Sequence, residues 1–451
     1  MTGDIHGADA EASERRRRSA GVALAIGAAG LVLCPATQFV FAQTYVPGVY
    51  ESGVDNNLAP DISLDTRFAR RQLPVGAQIG AFYVAPSLQV DESLNDNIFA
   101  QTHGARADAI TTLTGRSSLD YSNGINSLDL QGLIAQHLYA VHSTENEWEG
   151  SLGINFASAV HNDLQLVVNG DIKRLVDPRT DPSGLQGLTP TTYELYDGAV
   201  GALFGHYETN LLDLRVGTNR TTYDPLQGSQ GPIVTSDRDN TELFGEGRFR
   251  HAFGDRRGLY LKVRPNTRNY DQQFDQSGFR RGSNGVRADA GVDWDIDSAL
   301  LVNAEVGYQH QAYDDPRFGT IGEPDVRLKL SWWPSLLTNV TVNATHEYYE
   351  AFFVPSPGAV RNKVVARVDH ELRRRWVASA SVSVERDDLR NVPTHYTAEI
   401  ADLSLKYLFA EGFSAGVDYT FSHQTSTGAV VTTGATTFQQ NIVTFTIKKL
   451  F

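Results

Sequence analysis

The chain is 451 residues long, with 53 acidic against 39 basic side chains, a formal charge of -14, one cysteine and a mean hydropathy of -0.29. An acidic balance of that size repels a polyphosphate, which excludes nucleic acid as a partner, and a lone thiol excludes an internal disulfide framework. Beyond residue 42 no run approaches the ~18 apolar residues a helix needs to cross a bilayer, so any crossing must be made by strands.

Residues 1–42 read as a signal peptide cut after Ala42, with a retained anchor as the alternative. Arginines at 15–18 form the basic start, residues 20–33 an apolar stretch short for a span, and Phe39-Val40-Phe41-Ala42 the cleavage region. Cys34 follows Leu31-Val32-Leu33, without the small residue a lipoprotein signal needs, and it leaves with the signal. The removed segment holds four acids and four arginines, so the charge is unchanged. Residues 43–75 do not alternate and carry Pro47, Pro60 and Pro74; they are expected to form a periplasmic tail or a segment folded into a lumen.

From residue 76 onward, apolar and polar side chains alternate almost without pause. Leu212, Leu214 and Val216 begin the theme, and Val286, Ala288, Ala290, Val292, Trp294 and Ile296 repeat it against Arg287, Asp289, Gly291, Asp293 and Asp295. Val340, Val342 and Ala344, then Trp376, Ala378, Ala380, Val382 and Val384, continue it, and residues 413–422 show it most clearly. Such period-2 runs are strands with one apolar and one wet face. They extend over roughly 10 to 15 residues, where a soluble sandwich averages about five or six.

The breaks alternate in size. Tight turns are expected near 122–124, 161–162, 208–209, 254–257, 297–298, 334–335, 373–374 and 411–412. Longer polar connections fall at 91–105, 141–147, 175–191, 224–239, 273–283, 314–323, 353–359, 389–394 and 425–436. Together these predict an all-β, transmembrane, antiparallel up-and-down β-barrel over residues 76–451, with about 18 strands (16 being the alternative), long loops outside the cell and both termini periplasmic.

The closing run 441–451 places Val443, Phe445, Ile447 and Phe451 on one face and Thr444, Thr446 and Lys448 on the other. It resembles the C-terminal signal strand of bacterial outer-membrane barrels, which assigns Phe445, Ile447 and Phe451 to an assembly signal and implies the barrel assembly machinery as a partner. Lys449 departs from that pattern at an outward position, where a rim lysine can snorkel to the headgroups.

Residues 76–99, with Ala85-Pro86-Ser87-Leu88 and Asn95-Asp96-Asn97-Ile98-Phe99, carry a family resemblance. So do residues 304–308 followed by Tyr313-Asp314-Asp315-Pro316-Arg317-Phe318, then Trp333-Pro334-Ser335, then Val368-Asp369-His370-Glu371-Leu372. These resemble the Putative beta-barrel porin 2 family of proteobacterial outer membranes, over nearly all of residues 76–451. The resemblance implies an outer-membrane barrel of porin type embedded among lipid and lipopolysaccharide. Some members are associated with extracellular polysaccharide production, so polysaccharide export components are further expected partners.

Chemistry-bearing patterns are sparse. Gly412-Phe413-Ser414-Ala415-Gly416 matches a nucleophile elbow, but lies in an alternating strand where that motif has no meaning. Asp91, Ser93, Asn95 and Asn97 have the spacing of a calcium loop without its glycine and closing glutamate. No catalytic group, cofactor or metal site is expected. Tyr348, Tyr349, Phe352 and Phe353 are expected in an interfacial girdle. Strand parity turns Arg215, Glu242, Glu246, Arg248, Arg250, Lys262, Arg264, Arg268, Arg287, Asp289, Arg361, Lys363 and Arg367 inward as pore-lining candidates, with Asp213, Asp293 and Asp369 beside them. Two readings stay open: these charges face water and filter polar solutes, or they pair across strands into a stiff wall. The first makes a pore for small hydrophilic solutes or an exported polysaccharide; the second makes a non-conducting structural or surface-interaction barrel.

Overall fold

The computed structural model describes residues 76–451 except 255, 297–298, 354, 411 and 429–436, so the expected signal peptide and tail lie outside the described residues. Eighteen long strands follow one another, 13 to 16 residues each. They are β1 Phe82–Asn95, β2 Asp108–Ser122, β3 Asn126–Tyr139, β4 Glu147–His161, β5 Leu164–Val176 and β6 Thr192–Gly205. Next come β7 Asn210–Tyr223, β8 Asn240–Gly254, β9 Arg257–Tyr270, β10 Ser283–Ile296, β11 Leu300–Tyr313 and β12 Thr320–Ser335. The last six are β13 Thr338–Glu350, β14 Gly358–Arg373, β15 Trp376–Leu389, β16 His395–Ala410, β17 Phe413–Thr427 and β18 Phe438–Leu450.

Each strand pairs antiparallel with the next, and β18 returns to β1 in the register Ser87↔Leu450 to Asn95↔Ile442. The sheet therefore closes on itself as a barrel, the arrangement that satisfies backbone groups inside a bilayer. The 18-strand, all-β expectation holds.

Burial is inverted relative to a soluble protein. Leu261 and Val306 on the outer wall are 61% and 60% exposed, whereas Arg250 and Asp293 on the inner wall are 1% and 0% exposed. At the short-turn end, Trp376, Tyr407, Phe409 and Phe413 form a chain of ring contacts with centroids 4.7, 4.8 and 5.6 Å apart. Amphipathic rings favour the headgroup level, so this chain marks one membrane interface.

Several expected boundaries shift. The first long loop begins at Asp96 and not at 91, because Asp91, Ser93 and Asn95 are inward residues of β1: Thr446 Oγ1 donates to Asp91 at 2.6 Å and the Ser93 and Thr444 hydroxyls meet at 2.9 Å across the closing seam. A polar inner face reads like a loop in sequence. The loop expected at 314–323 ends by Thr320, where β12 starts, and the turn expected at 334–335 falls after Ser335. Connection 224–239 holds a small hairpin, Leu226–Gly228 against Gly231–Ile233, and residues 77–79 fold back on β1. The Gly412 to Gly416 pattern enters β17 straight from a turn, strand to strand.

Candidate functional site

All thirteen lumen candidates stand in strands β7 to β14 with their side chains on the inner face, opposite the exposed apolar row of the same strands. The structure brings them together as ion pairs. On β7, Arg215 Nε bonds Asp213 of the same face at 2.9 Å. Across β8 and β9, Arg264 reaches Glu242 at 3.4 Å and Glu246 at 3.5 Å, and Arg268 reaches Glu242 at 2.6 Å. Nearer the short turns, Arg248 and Arg250 share Asp293 at 3.4 and 3.2 Å. Their guanidinium groups also lie over aromatic faces, Arg248 over Tyr260 at 3.9 Å and Arg250 over Tyr207 at 3.6 Å.

The centre of this wall is a cluster drawn from β9 to β13. Lys262 Nζ lies 2.7 Å from Glu305 and 3.6 Å from Asp289; Arg287 contacts Asp289 and Glu305 at 3.0 Å each and Asp325 at 3.5 Å. Arg327 adds contacts to Glu305 and Asp325 at 3.3 Å and to Glu347 at 2.6 Å. Oxygens of Asp289, Glu305 and Asp325 lie within 4.8 Å of one another, close enough to share a cation. Lys262, Arg287 and Arg327 supply that positive charge, one for each carboxylate. Gly307 and Gly258 make the packing possible: a Cβ on Gly307 would stand 2.1 Å from Asp289 Oδ1, and one on Gly258 would stand 2.5 Å from the Arg250 guanidinium carbon. On β14 and β15, Arg361 holds Asp387 at 2.8 Å and Glu385 at 2.9 Å, Lys363 holds Glu385 at 2.9 Å, and Arg367 holds Asp369 at 2.7 Å.

Sequence parity thus placed the thirteen candidates on the inner face, but it did not single out Glu305, Asp325, Arg327, Glu347, Glu385 and Asp387. The signal was present: Glu305 stands between Ala304 and Val306, and Arg327 between Val326 and Leu328. Which acid meets which base depends on cross-strand register, which no single strand encodes.

The basic residues run the length of the wall. Arg250 is level with Tyr260, eight positions from Arg268 along β9, so the ladder from Arg268 through Arg264 and Lys262 to Arg250 spans about 26 Å at the usual strand rise. Elsewhere on the inner face, halfway along their strands, Asn155, Lys329 and Asn343 are exposed. Space is therefore left beside these three side chains at mid-height.

The long-loop mouth is narrower. Strands β12 and β13 pair from Ser335↔Thr338 only as far as Val326↔His346, whereas β13 and β14 remain paired to Glu350↔Gly358. Beyond His346 the β13–β14 hairpin parts from β12 and, still paired to β15, bends into the barrel. Its Tyr348 hydroxyl meets that of Tyr313 at 2.5 Å, and Tyr348 and Val360 pack on Ile321; Glu350 accepts from Ser283 Oγ at 2.9 Å and pairs with Arg268. All four partners are inner-face residues of β9 to β12. The other face of the hairpin lies on β15 and β16: Tyr349 donates to Asp387 at 2.6 Å, and Phe353 stacks on Tyr396 at 5.6 Å. Tyr348, Tyr349 and Phe353 are 2%, 1% and 1% exposed, so the girdle expected there is wrong. The rings were misplaced because local alternation cannot show a hairpin bending through its own barrel.

Other loops lock onto this tip. Arg281 lies 4.0 Å over Phe352 and Arg238 lies 4.5 Å over the same ring, while Arg238 also donates to the Ser183 carbonyl at 3.1 Å. In the β5–β6 loop, burial pushes the Asp177 carboxyl up to about 7, with nearby Asp181 adding to the rise and Arg238 opposing it. Asp181 is raised by the same burial, against hydrogen bonds from Ser183.

A family model described as Putative beta-barrel porin 2 matches residues 72–449. No curated protein sequence matches the chain. Among solved structures, OccAB3 of Acinetobacter baumannii is 11% identical, with a TM-score of 0.44 over 83% of this chain and 100% of that one. OpdK of Pseudomonas aeruginosa is 11% identical, with a TM-score of 0.44 over 82% of this chain and 99% of that one. OccK2 (OpdF) of Pseudomonas aeruginosa is 11% identical, with a TM-score of 0.47 over 82% and 98%. With the match running through all eighteen strands of a barrel whose outer wall is apolar, the chain belongs to the Putative beta-barrel porin 2 family, and its place is the outer membrane.

Proposed function

We propose that the protein passes small hydrophilic solutes through its lumen, with the β13–β14 hairpin as the constriction. The observation that carries this reading is the contrast in the inner wall. Asn155, Lys329 and Asn343 are exposed at mid-height, while the mouth is narrowed by one hairpin tip and the loops it touches. The partly exposed pairs Lys363–Glu385 and Arg367–Asp369 offer a passing solute donors and acceptors at fixed positions, while the buried ladder of Arg268, Arg264 and Arg250 stiffens the wall behind them. Fixed charges of both signs across a narrow path orient polar solutes and raise the barrier to apolar ones. A polysaccharide chain would have to displace the tip, so export of a polymer is the less economical reading, and polysaccharide export components have no part in the small-solute one. No chemistry beyond passage is assigned, since the acids and bases of the wall are held against each other.

The second reading, a non-conducting structural barrel, draws on the same ion pairs and the filled mouth. Planar-bilayer recordings separate the two. The wild-type barrel should conduct in small steps, and a variant with residues 351–356 replaced by a short Gly-Ser turn should conduct in larger ones. Silence from both proteins, each running as a folded heat-modifiable band, would establish the structural barrel instead.

A further inference from the structure

The outer wall carries a groove that none of the lumen chemistry explains. On β15 the outward residues Ala378 and Ala380 are small, while their neighbours are taller: Ala378 is level with His370 and Leu405, and Ala380 with Val368 and Leu403. The two alanines leave a dent of about 400 Å³ that reaches from β14 across to Val417 and Tyr419 of β17, lined almost entirely by carbon. That volume lies within the range of small-molecule sites, on a surface that faces acyl chains.

What lies at the end of the groove sets its occupant. Two residues from Ala378 toward the short turns stands Trp376, its ring 4.7 Å from Tyr407 in the interfacial aromatic chain. Immediately beyond is the turn of Arg373, Arg374 and Arg375, all exposed, with the Arg375 guanidinium folded back to donate to the Phe409 carbonyl at 2.9 Å. The adjacent β12–β13 turn is tied to this one through Glu371 N and the Leu337 carbonyl at 2.8 Å, and it presents Leu336 at 79% exposure. An apolar tip beside three arginines suits the headgroup layer, where the leucine enters and the guanidinium groups stay with phosphate. From Ala380 to Arg374 is about 20 Å at the strand rise, comparable with the ~15 Å half-thickness of a hydrocarbon core plus a headgroup.

We propose that this face binds one anionic phospholipid, with an acyl chain in the groove over Ala378 and Ala380 and the phosphodiester on Arg373 and Arg374. Guanidinium groups bind phosphate oxygens in a bidentate fork, so the site discriminates by headgroup charge as well as by apolar fit. The alanines supply the chain's seat and the turn supplies the selectivity.

The test uses the folded full barrel in detergent, with native mass spectrometry after addition of phosphatidylglycerol or phosphatidylethanolamine. The wild type should retain one phosphatidylglycerol with a preference of about thirtyfold, given roughly 1 kcal/mol for each of the two arginines. An Arg373→Gln, Arg374→Gln double variant should lose the preference, and Ala380→Phe should lose the adduct by filling the seat. Inorganic phosphate should not displace the lipid. Equal retention of both lipids, a preference that survives the double variant, or displacement of phosphatidylglycerol by lipid A at the same residues would each overturn the proposal. The arginines lie on an exposed turn, so the double variant decides the matter even where Ala380→Phe fails to fold.

Discussion

Single residues in the inner wall act through their partners. Asp293 is buried and serves both Arg248 and Arg250, so Asp293→Asn removes a carboxylate from two guanidinium groups at once. Breaking a buried ion pair from one side costs roughly 3–5 kcal/mol, so this variant should lower the temperature at which the folded band is lost on an unfolding gel. Lys329→Gln, at an exposed inner position, should leave that temperature near wild type and alter single-channel ion selectivity instead. A reversed pattern would mean that the central wall, and not the mid-height gap, faces the solute path. Asp177 extends the argument to pH. Its native pKa, about 7, lies above that of an exposed aspartate, so the packed β5–β6 loop binds more protons than the released loop between about pH 4 and 7. Its contribution is complete below the lower value and is lost as pH rises through the upper one. Raising the pH from 6 to 8 should therefore loosen this loop and increase its cleavage by an added protease, and Asp177→Asn should flatten that dependence. Loosening on acidification would refute it.

At the scale of elements, the last strand closes the barrel on both sides, to β17 and to β1, and Phe451 N donates to the Pro86 carbonyl at 2.9 Å. Phe445 and Ile447 face outward and are exposed, as does Phe451, whose ring lies 5.9 Å from Lys449 Nζ. We propose that this face is what the assembly machinery reads. Deleting Phe451 should lower the outer-membrane level of the protein without abolishing refolding of the purified chain in detergent. Equal loss in both assays would make Phe451 a packing residue only. The long strands themselves were legible because lipid on one side and polar lumen on the other impose period 2 over their whole length. The hairpin tip was not legible, since residues 347–350 keep a strand's composition after parting from β12.

For the whole molecule, the expectation that long loops face outward is open to direct measurement. Cysteine at Gln230 or Thr427, both exposed on the long-loop side, should react with an impermeant thiol label on whole cells, and cysteine at Asn123, beside the opposite turn, should react only after the outer membrane is broken. Labelling in the opposite order would invert the barrel. Sequence alone determined the class, a count of about eighteen strands and the polar character of the inner face, because each follows from a local rule: alternation for strands, chain breaks for turns. Tertiary structure alone decided which acid meets which base, that Asp289, Glu305 and Asp325 gather around Lys262, Arg287 and Arg327, and that the β13–β14 tip narrows the mouth. Those outcomes depend on register between strands and on contacts across the lumen, where residues far apart in the chain come within bonding distance and period 2 carries no information about which of them meet.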